Sequence, residues 1–216
     1  MKICVENKLS PESYITEKSA ETDILVFGFK SIGIIKYRKE LSGETDYFKQ
    51  IADLSEKLNR AVLCSCDTDN YGILRRSVAV AEKGKLLGIS DMSLSLNDSG
   101  VMPGGGQTLY DIACGKIGVL VGDDFYSYEK LKAFAVCGAD AIICIQKDVK
   151  KEISDILLRA YSYLLGIPVC LITDGAAAAA ENTGEIIYNT AADTCCFNVR
   201  FNSEYNLITT KTRFDK

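Results

Sequence analysis

Apolar and polar residues follow two periods along this chain, and together they predict strands separated by helices. Six short runs in which apolar residues are nearly continuous are typical of buried strands. They are Lys2–Val5, Ile24–Phe29, Ala61–Cys66, Ile117–Val121, Ala141–Ile145 and Val169–Thr173. Between them, apolar residues recur at the three-to-four-residue spacing of a helix. This spacing predicts helices over residues 44–60, 127–138 and 153–165.

Two further segments have the pattern of β-hairpins, Val78–Ile89 and Ala176–Tyr188, with Gly84 and Gly184 at the turns. The second contains the five-alanine run Ala176–Ala180, for which a helix is the default by propensity. Its place directly before a glycine turn favours a tightly packed strand. Strands that alternate with helices and hairpins indicate an α/β fold, with mixed sheets stacked on each other and covered by helices. We find no linker and no repeat, so we predict a single domain over residues 1–216.

Composition narrows the chemistry that is available. The 216 residues include 29 acidic and 25 basic side chains but no histidine, which excludes a Ser-His-Asp triad, a Cys-His pair and imidazole metal ligands. A net charge of −4 and a pI near 5.1 argue against a nucleic-acid partner. No apolar run approaches the ~18 residues of a membrane span, and Met1–Pro11 lacks the apolar core of a signal peptide. We predict a cytoplasmic protein with no metal or other cofactor.

The nine cysteines are predicted to be free thiols in a reducing compartment. Several of them, among them Cys4 and Cys144, lie in strand-like apolar runs, where cysteine behaves as a small core hydrophobe. The close pairs Cys64/Cys66 and Cys195/Cys196 lack the two-residue spacing of zinc or redox motifs.

Two polar motifs allow more than one interpretation. Met102–Thr108 is rich in glycine, but it lacks the Gly-Lys-Ser/Thr ending of a phosphate loop, so a plain turn is favoured. Asp123 and Asp124 directly follow a predicted strand, where adjacent carboxylates can hold Mg²⁺ or act as acid and base. The alternative, which we favour, is that they interact with the positive end of the helix that begins near Ser127.

Several of these segments resemble the nitrilase, or carbon–nitrogen hydrolase, superfamily. The segments that carry the resemblance are Asp23–Phe29, Gly84–Gly88, Gly115–Glu129, Gly138–Ile143 and Leu157–Ser162. The segments are spread along most of the chain, and Gly115–Glu129 is the most specific. The resemblance implies a four-layer α-β-β-α sandwich that usually dimerises. It also implies metal-free hydrolysis of nitriles and amides by a Glu base, a Lys and a Cys nucleophile.

The framework of this family is retained in the chain, but its reactive residues are replaced. By the resemblance, the Glu falls on Phe29, the Lys on Met92 and the Cys on Gly122. A family arginine falls on Tyr161 and a family serine on Ala177. The framework acids are kept as Asp124 and Glu129.

Three hypotheses follow from these substitutions. In the first, the protein is an inactive homologue that acts in binding or assembly, as a homodimer or with a partner protein. In the second, it is an active C–N hydrolase with a relocated nucleophile, Cys144 or one of Asp123 and Asp124. In the third, it binds a small amide-like ligand in the vacated pocket; the residues proposed near that pocket are Asp123, Asp124, Cys144, Tyr161 and Ala177. The family's dimer surface corresponds to helices 127–137 and 153–165, where Tyr161 and Leu165 either face a partner or belong to the core.

Overall fold

The chain folds into two β-sheets, one of seven strands and one of six. The structure is a computed structural model that describes residues 1–14, 21–96, 100–105, 108–147, 149 and 151–200. The first sheet contains β1 (Lys2–Glu6), β2 (Ile24–Phe27), β3 (Ile34–Lys36), β4 (Ala61–Asn70), β5 (Ile73–Glu82), β6 (Lys85–Asp91) and β13 (Thr194–Asn198). The second contains β7 (Leu109–Ile112), β8 (Gly115–Val121), β9 (Ala141–Ile145), β10 (Val169–Thr173), β11 (Ala176–Ala180) and β12 (Ile186–Thr190). The α-helices within these residues are α1 (Tyr37–Ser42), α2 (Tyr47–Leu58), α3 (Tyr128–Val136) and α4 (Lys151–Leu165).

Both sheets are mixed. The first has the order β13-β1-β2-β4-β5-β6, with β3 also paired to β4, and the second has the order β12-β11-β10-β9-β8-β7. Strands β1, β2 and β4 are parallel, as are β8, β9 and β10. Antiparallel hairpins extend both sheets at their edges. Parallel strands in the centre explain why their sequences are continuously apolar, because both faces are covered.

Three apolar clusters define four layers. The first cluster lies between the sheets and includes Val26 and Val121. The second packs α3 and α4 on the outer face of the second sheet, and the third packs α2, through Ile51 and Leu54, on the outer face of the first. The layers are therefore helix, sheet, sheet and helix, as the family resemblance implies.

The predicted strands and helices are confirmed, with shifts at their ends. Ala141–Ile145 and Val169–Thr173 match the predicted bounds, β4 extends four residues beyond Cys66, and α2 is shorter than residues 44–60. The alanine run is a strand, paired with β10 over its whole length. The β5–β6 turn has positive φ at Lys83 and Gly84, which is the two-residue turn that matches the twist of a hairpin.

Strand β13 and its disulfide are corrections to the sequence analysis. Thr194–Asn198 alternates exposed and buried side chains, as a half-buried strand does. Cys196 of this strand lies directly opposite Cys4 of β1, and the two are joined by a disulfide. The prediction of nine thiols is therefore wrong for this pair; the other seven cysteines are free.

Two expectations fall partly on residues that the structure does not describe. Gly106 and Gln107, in the glycine-rich turn, lie outside the described residues, as do residues 201–216 of the predicted single domain.

Within the described helices, none combines the length and the apolar character needed to cross a membrane. Tyr161 and Leu165 are buried, so the core interpretation is correct for both.

Candidate functional site

Three loops bring Phe29, Met92 and Gly122 together at one end of the space between the sheets. Phe29 follows β2, Met92 follows β6, and Gly122 follows β8. A Cβ built on Gly122 would lie less than 3.0 Å from Met92 Sδ and 3.7 Å from Arg76 Cδ. The Arg76 guanidinium carbon lies 4.9 Å from the centre of the Phe29 ring. The three positions thus meet around the side chain of Arg76.

The backbone at Gly122 has the shape of a nucleophile elbow without a nucleophile. Its φ is +58°, and it links β8 to the 3-10 helix Gly122–Tyr126. In hydrolases, a sharp turn between strand and helix presents the reactive side chain to the substrate. Glycine adopts this conformation without strain but contributes no side chain. The sulfur of Met92, a residue that is 1% exposed, fills the space where one would stand.

A buried ion cluster lies beside these residues. Asp67 on β4 is 1% exposed, and its carboxylate is 2.7 Å from Lys30 Nζ and 3.4 Å from Arg76 Nε. Lys30 Nζ also lies 5.8 Å from the Phe29 ring centre. Two cations therefore share one carboxylate and one aromatic ring. Burial without a partner would be costly for Asp67 and for Arg76, so their pairing stabilises both inside the fold, whereas the Lys30 side chain is partly exposed and reaches Asp67 from the solvent side.

This cluster adds charged residues to the site that the sequence analysis did not name. Sequence reasoning missed Asp67 and Arg76, although a signal was present in the alternation of the strands. Val80 and Val78 face the space between the sheets, and Arg76 comes next at the two-residue spacing. Arg76 also pairs directly with Asp67 across the hairpin. An inward-facing Arg opposite an inward-facing Asp predicts a buried ion pair.

Asp124 holds the segment that carries Met92. It is 1% exposed and accepts hydrogen bonds from the backbone N–H of Leu94 at 2.7 Å and of Ser93 at 3.0 Å. Its carboxylate also forms an ion pair with Lys130, whose Nζ donates to Ser93 Oγ as well. The segment after β6 is thus fixed to the second sheet through one carboxylate.

Asp123 has a similar but weaker role. It accepts hydrogen bonds from the backbone N–H of Leu96 at 2.8 Å and from Gln146 Nε2 at 3.4 Å. Ser127 stands at the N-cap of α3, so neither Asp123 nor Asp124 is its capping residue, and Asp124 contacts this helix through its ion pair with Lys130. An interaction of the two carboxylates with the positive end of the helix stays a prediction. Among the described residues, no three Cys, Asp or Glu side chains are close enough to hold a metal ion.

The other candidates fall into two different apolar clusters. Cys144 and Tyr161 belong to the cluster that packs the helices on the outer face of the second sheet. Tyr161 contacts the ring of Phe125 edge-on, at 5.7 Å between ring centres. Ala177 lies in the core between the sheets. Neither the Cys144 thiol nor the Tyr161 ring therefore lines the space near Met92.

The Cys144 thiol is poorly suited to be a nucleophile. It is fully buried, and burial, with smaller contributions from the negative charges of Asp124 and Asp123, raises the pKa of the Cys144 thiol well above its usual value. Because the thiolate is the reactive form, the group is inert at neutral pH.

We expect iodoacetamide at neutral pH to leave Cys144 unmodified in the folded protein. Cys137 is exposed and free, so it is the internal control and should react readily. Peptide mapping by mass spectrometry measures both, and Cys144 should react only after denaturation. Labelling of Cys144 at the rate of Cys137 would contradict the burial argument.

Comparisons with known proteins support the fold. No protein-family model and no curated protein sequence matches the chain. Two structures of an amidase from Nesterenkonia sp. AN1 superpose on it. One has a TM-score of 0.76 at 14% identity, over 99% of this chain and 97% of that chain. The other, described as a nitrilase-superfamily enzyme, has a TM-score of 0.74 at 15% identity, over 91% and 88%.

A third match is the glutamine-dependent NAD+ synthetase from Acinetobacter baumannii. Its TM-score is 0.74 at 14% identity, over 90% of this chain but only 44% of the synthetase. At such identities, these similarities show the fold. The chain has the α-β-β-α sandwich of nitrilase-superfamily enzymes, as predicted.

Proposed function

We propose that this protein is a nitrilase-fold pseudoenzyme that acts through binding or assembly and does not hydrolyse C–N bonds with a cysteine nucleophile. The observation that carries the proposal is the packing of Met92 Sδ into the space where a side chain at position 122 would stand. In the Nesterenkonia amidase, the acetamide moiety of fluoroacetamide adds covalently at the active-site cysteine. We assign the equivalent position in this chain to Gly122.

The surroundings of Gly122 support this assignment. Acyl transfer through a covalent intermediate needs a nucleophile, a base and stabilisation of the developing oxyanion. Phe29 provides no base, and Arg76 and Lys30, the two cations beside the Phe29 ring, are both paired with Asp67. A cation already neutralised by a buried carboxylate is less able to stabilise new negative charge.

The two alternative hypotheses are less well supported. A relocated Cys144 nucleophile requires an accessible thiolate, and this thiol is buried behind the second sheet. A small-molecule site in the vacated pocket requires open space, whereas Met92 and Arg76 are both buried there and occupy it. We propose that the protein is cytoplasmic, because seven of its nine cysteines are free thiols and the Cys4–Cys196 disulfide is the single exception.

The test is incubation with short aliphatic amides and nitriles, with product release followed and the Nesterenkonia amidase as positive control. We expect no turnover above the uncatalysed rate. The Gly122→Cys variant should also be inactive, because it restores the thiol but neither the base nor the cation. Turnover that is abolished by thiol alkylation would instead support a relocated cysteine nucleophile.

Helix α4 carries a candidate assembly surface. Its buried side is formed by residues such as Leu158 and Leu165, yet apolar side chains are also exposed. The most exposed is Ile156, at 66%; the others are Ile153, Tyr163 and Leu164. A groove of about 530 Å³ runs beside them, lined by Asp155, Ile156, Arg159, Ala160, Tyr163, Thr183 and Gly184. Exposed Tyr, Arg and Ile around a groove have the composition of an interface centre, so we propose that α4 forms the contact of a homodimer.

Light scattering tests the dimer. We expect a mass of twice the 23.6 kDa chain mass for the wild-type protein. Ile156→Asp should shift the mass to that of a monomer, because a buried charge in the interface is costly. Leu41→Asp is the matched control, since Leu41 is 88% exposed on α1, and it should remain dimeric. A monomeric wild-type protein would exclude this interface.

A further inference from the structure

The last described strand, β13, is held at the edge of the first sheet by one neighbour. It pairs with β1 and with no other described strand. Cys195 and Phe197 point into the core between the sheets, and Phe197 stacks on Tyr188 of β12 with 4.6 Å between ring centres. Because β12 is the edge strand of the second sheet, β13 and β12 lie at the same side of the sandwich and cover the core there.

The disulfide lies on the opposite face of β13. Cys4 and Cys196 occupy directly opposed positions of β1 and β13, and they are 192 residues apart in the chain. Cys4 is 4% exposed and packs with the cluster under α2, whereas Cys196 is exposed to solvent. Cys196 is therefore the member of the pair that faces an incoming thiolate.

We propose that the Cys4–Cys196 disulfide is a site of thiol–disulfide exchange that determines how firmly β13 is held on the first sheet. The reductant class is a small dithiol, or two equivalents of a monothiol. Its thiolate attacks Cys196 Sγ, forms a mixed disulfide and releases the Cys4 thiolate, which takes up a proton. A second thiolate of the reductant attacks the mixed disulfide and releases Cys196. Two electrons pass to the protein, two protons are taken up, and the reductant becomes a disulfide.

Reduction weakens the attachment of β13 without removing it. The backbone ladder remains, as do the hydrogen bond from Thr194 Oγ1 to Glu6 Oε2 at 2.6 Å and the Phe197 stack. The disulfide also closes a very long loop and so restricts the unfolded chain. Its reduction raises the conformational entropy of the unfolded chain and thereby lowers the stability of the fold. A short edge strand with a single neighbour is the element expected to open locally when such a restraint is lost.

Thiol counting tests the exchange. The protein is equilibrated in buffers of reduced and oxidised glutathione, quenched with acid, unfolded and titrated with a thiol reagent. We expect seven thiols under oxidising ratios and nine under reducing ratios, since the chain has nine cysteines and seven are free in the structure. Nine thiols at every ratio, or seven at every ratio, would overturn the proposal.

Hydrogen exchange tests the consequence for β13. Reduction with dithiothreitol should speed amide exchange in Thr194–Asn198 about tenfold or more and lower the Tm by roughly 5 to 15 °C. The Cys4→Ser/Cys196→Ser variant should resemble the reduced protein and not respond to the reductant. Cys137→Ser, at an exposed free cysteine, is the control and should respond like the wild type. Should the double variant not fold, the wild-type comparison with and without reductant decides, and unchanged exchange in β13 would overturn the proposal.

Discussion

Substitution of Gly122 by Ala is expected to lower the free energy of unfolding by about 2–5 kcal/mol. Two effects add. An L-residue in the left-handed region costs about 1–2 kcal/mol, and overpacking a well-filled core costs about 1–3 kcal/mol. The φ of Gly122 is +58°, and the new methyl group would meet Met92 Sδ and Cγ. Urea denaturation followed by circular dichroism measures the loss.

Two further variants separate the causes. Gly43 has a φ of +74°, and nothing lies within 4 Å of a Cβ built there, so Gly43→Ala should cost only the backbone term of about 1–2 kcal/mol. In a Met92→Ala background, the additional cost of Gly122→Ala should fall to the same value, because the sulfur is gone. Equal costs for Gly122→Ala and Gly43→Ala in the otherwise wild-type protein would show that Met92 does not fill this space.

Substitution of Asp124 by Ala is expected to cost about 3–5 kcal/mol. The change leaves Lys130, whose side chain is 21% exposed, without its carboxylate, and it leaves the backbone N–H groups of Ser93 and Leu94 without an acceptor. Uncompensated burial of a charge is among the largest effects of a single substitution. Urea denaturation gives the free energy, and hydrogen exchange should show faster exchange at Ser93 and Leu94.

Asp123→Ala is the matched control for Asp124→Ala. Asp123 is only half-buried, and its one short described hydrogen bond is to the N–H of Leu96, so we expect a loss of about 1 kcal/mol. Asp124→Asn should lie between the two alanine variants, because it keeps an acceptor oxygen and loses the charge. If Asp123→Ala were as costly as Asp124→Ala, the segment after β6 would not depend chiefly on Asp124.

The central strands and the covering helices could be predicted because their signals are local. Continuous apolar runs appear wherever a parallel strand is covered on both faces, as at Ala141–Ile145. The resemblance then supplied the order of the layers, and the comparisons confirmed the fold. Short elements were missed, such as β3 and α1, because three to six residues carry too little periodic pattern.

The contents of the site were less predictable than the fold. The meeting of Phe29, Met92 and Gly122 follows from the sheet topology, but the packing of Met92 over Gly122 depends on side-chain directions that no local pattern specifies. Arg76 and Asp67 are 9 positions apart and become partners only through the β4–β5 register. The disulfide joins residues from the two ends of the described chain, and only the pairing of β13 with β1 brings them together.

The packing of Met92 against Gly122 also has a consequence for evolution. If the proposed assignment of Gly122 holds, cysteine chemistry would require changes at three positions, and each first step alone would be harmful. A side chain at 122 collides with Met92, a lysine at 92 adds a third cation beside Arg76, and an acid at 29 replaces the ring beneath that guanidinium. On the proposed function, this packing acts as an epistatic barrier, because each of the three residues makes a reactive side chain at the other two positions less tolerable. On that proposal, proteins that carry this packing should vary in their surfaces and should not acquire cysteine-dependent hydrolysis.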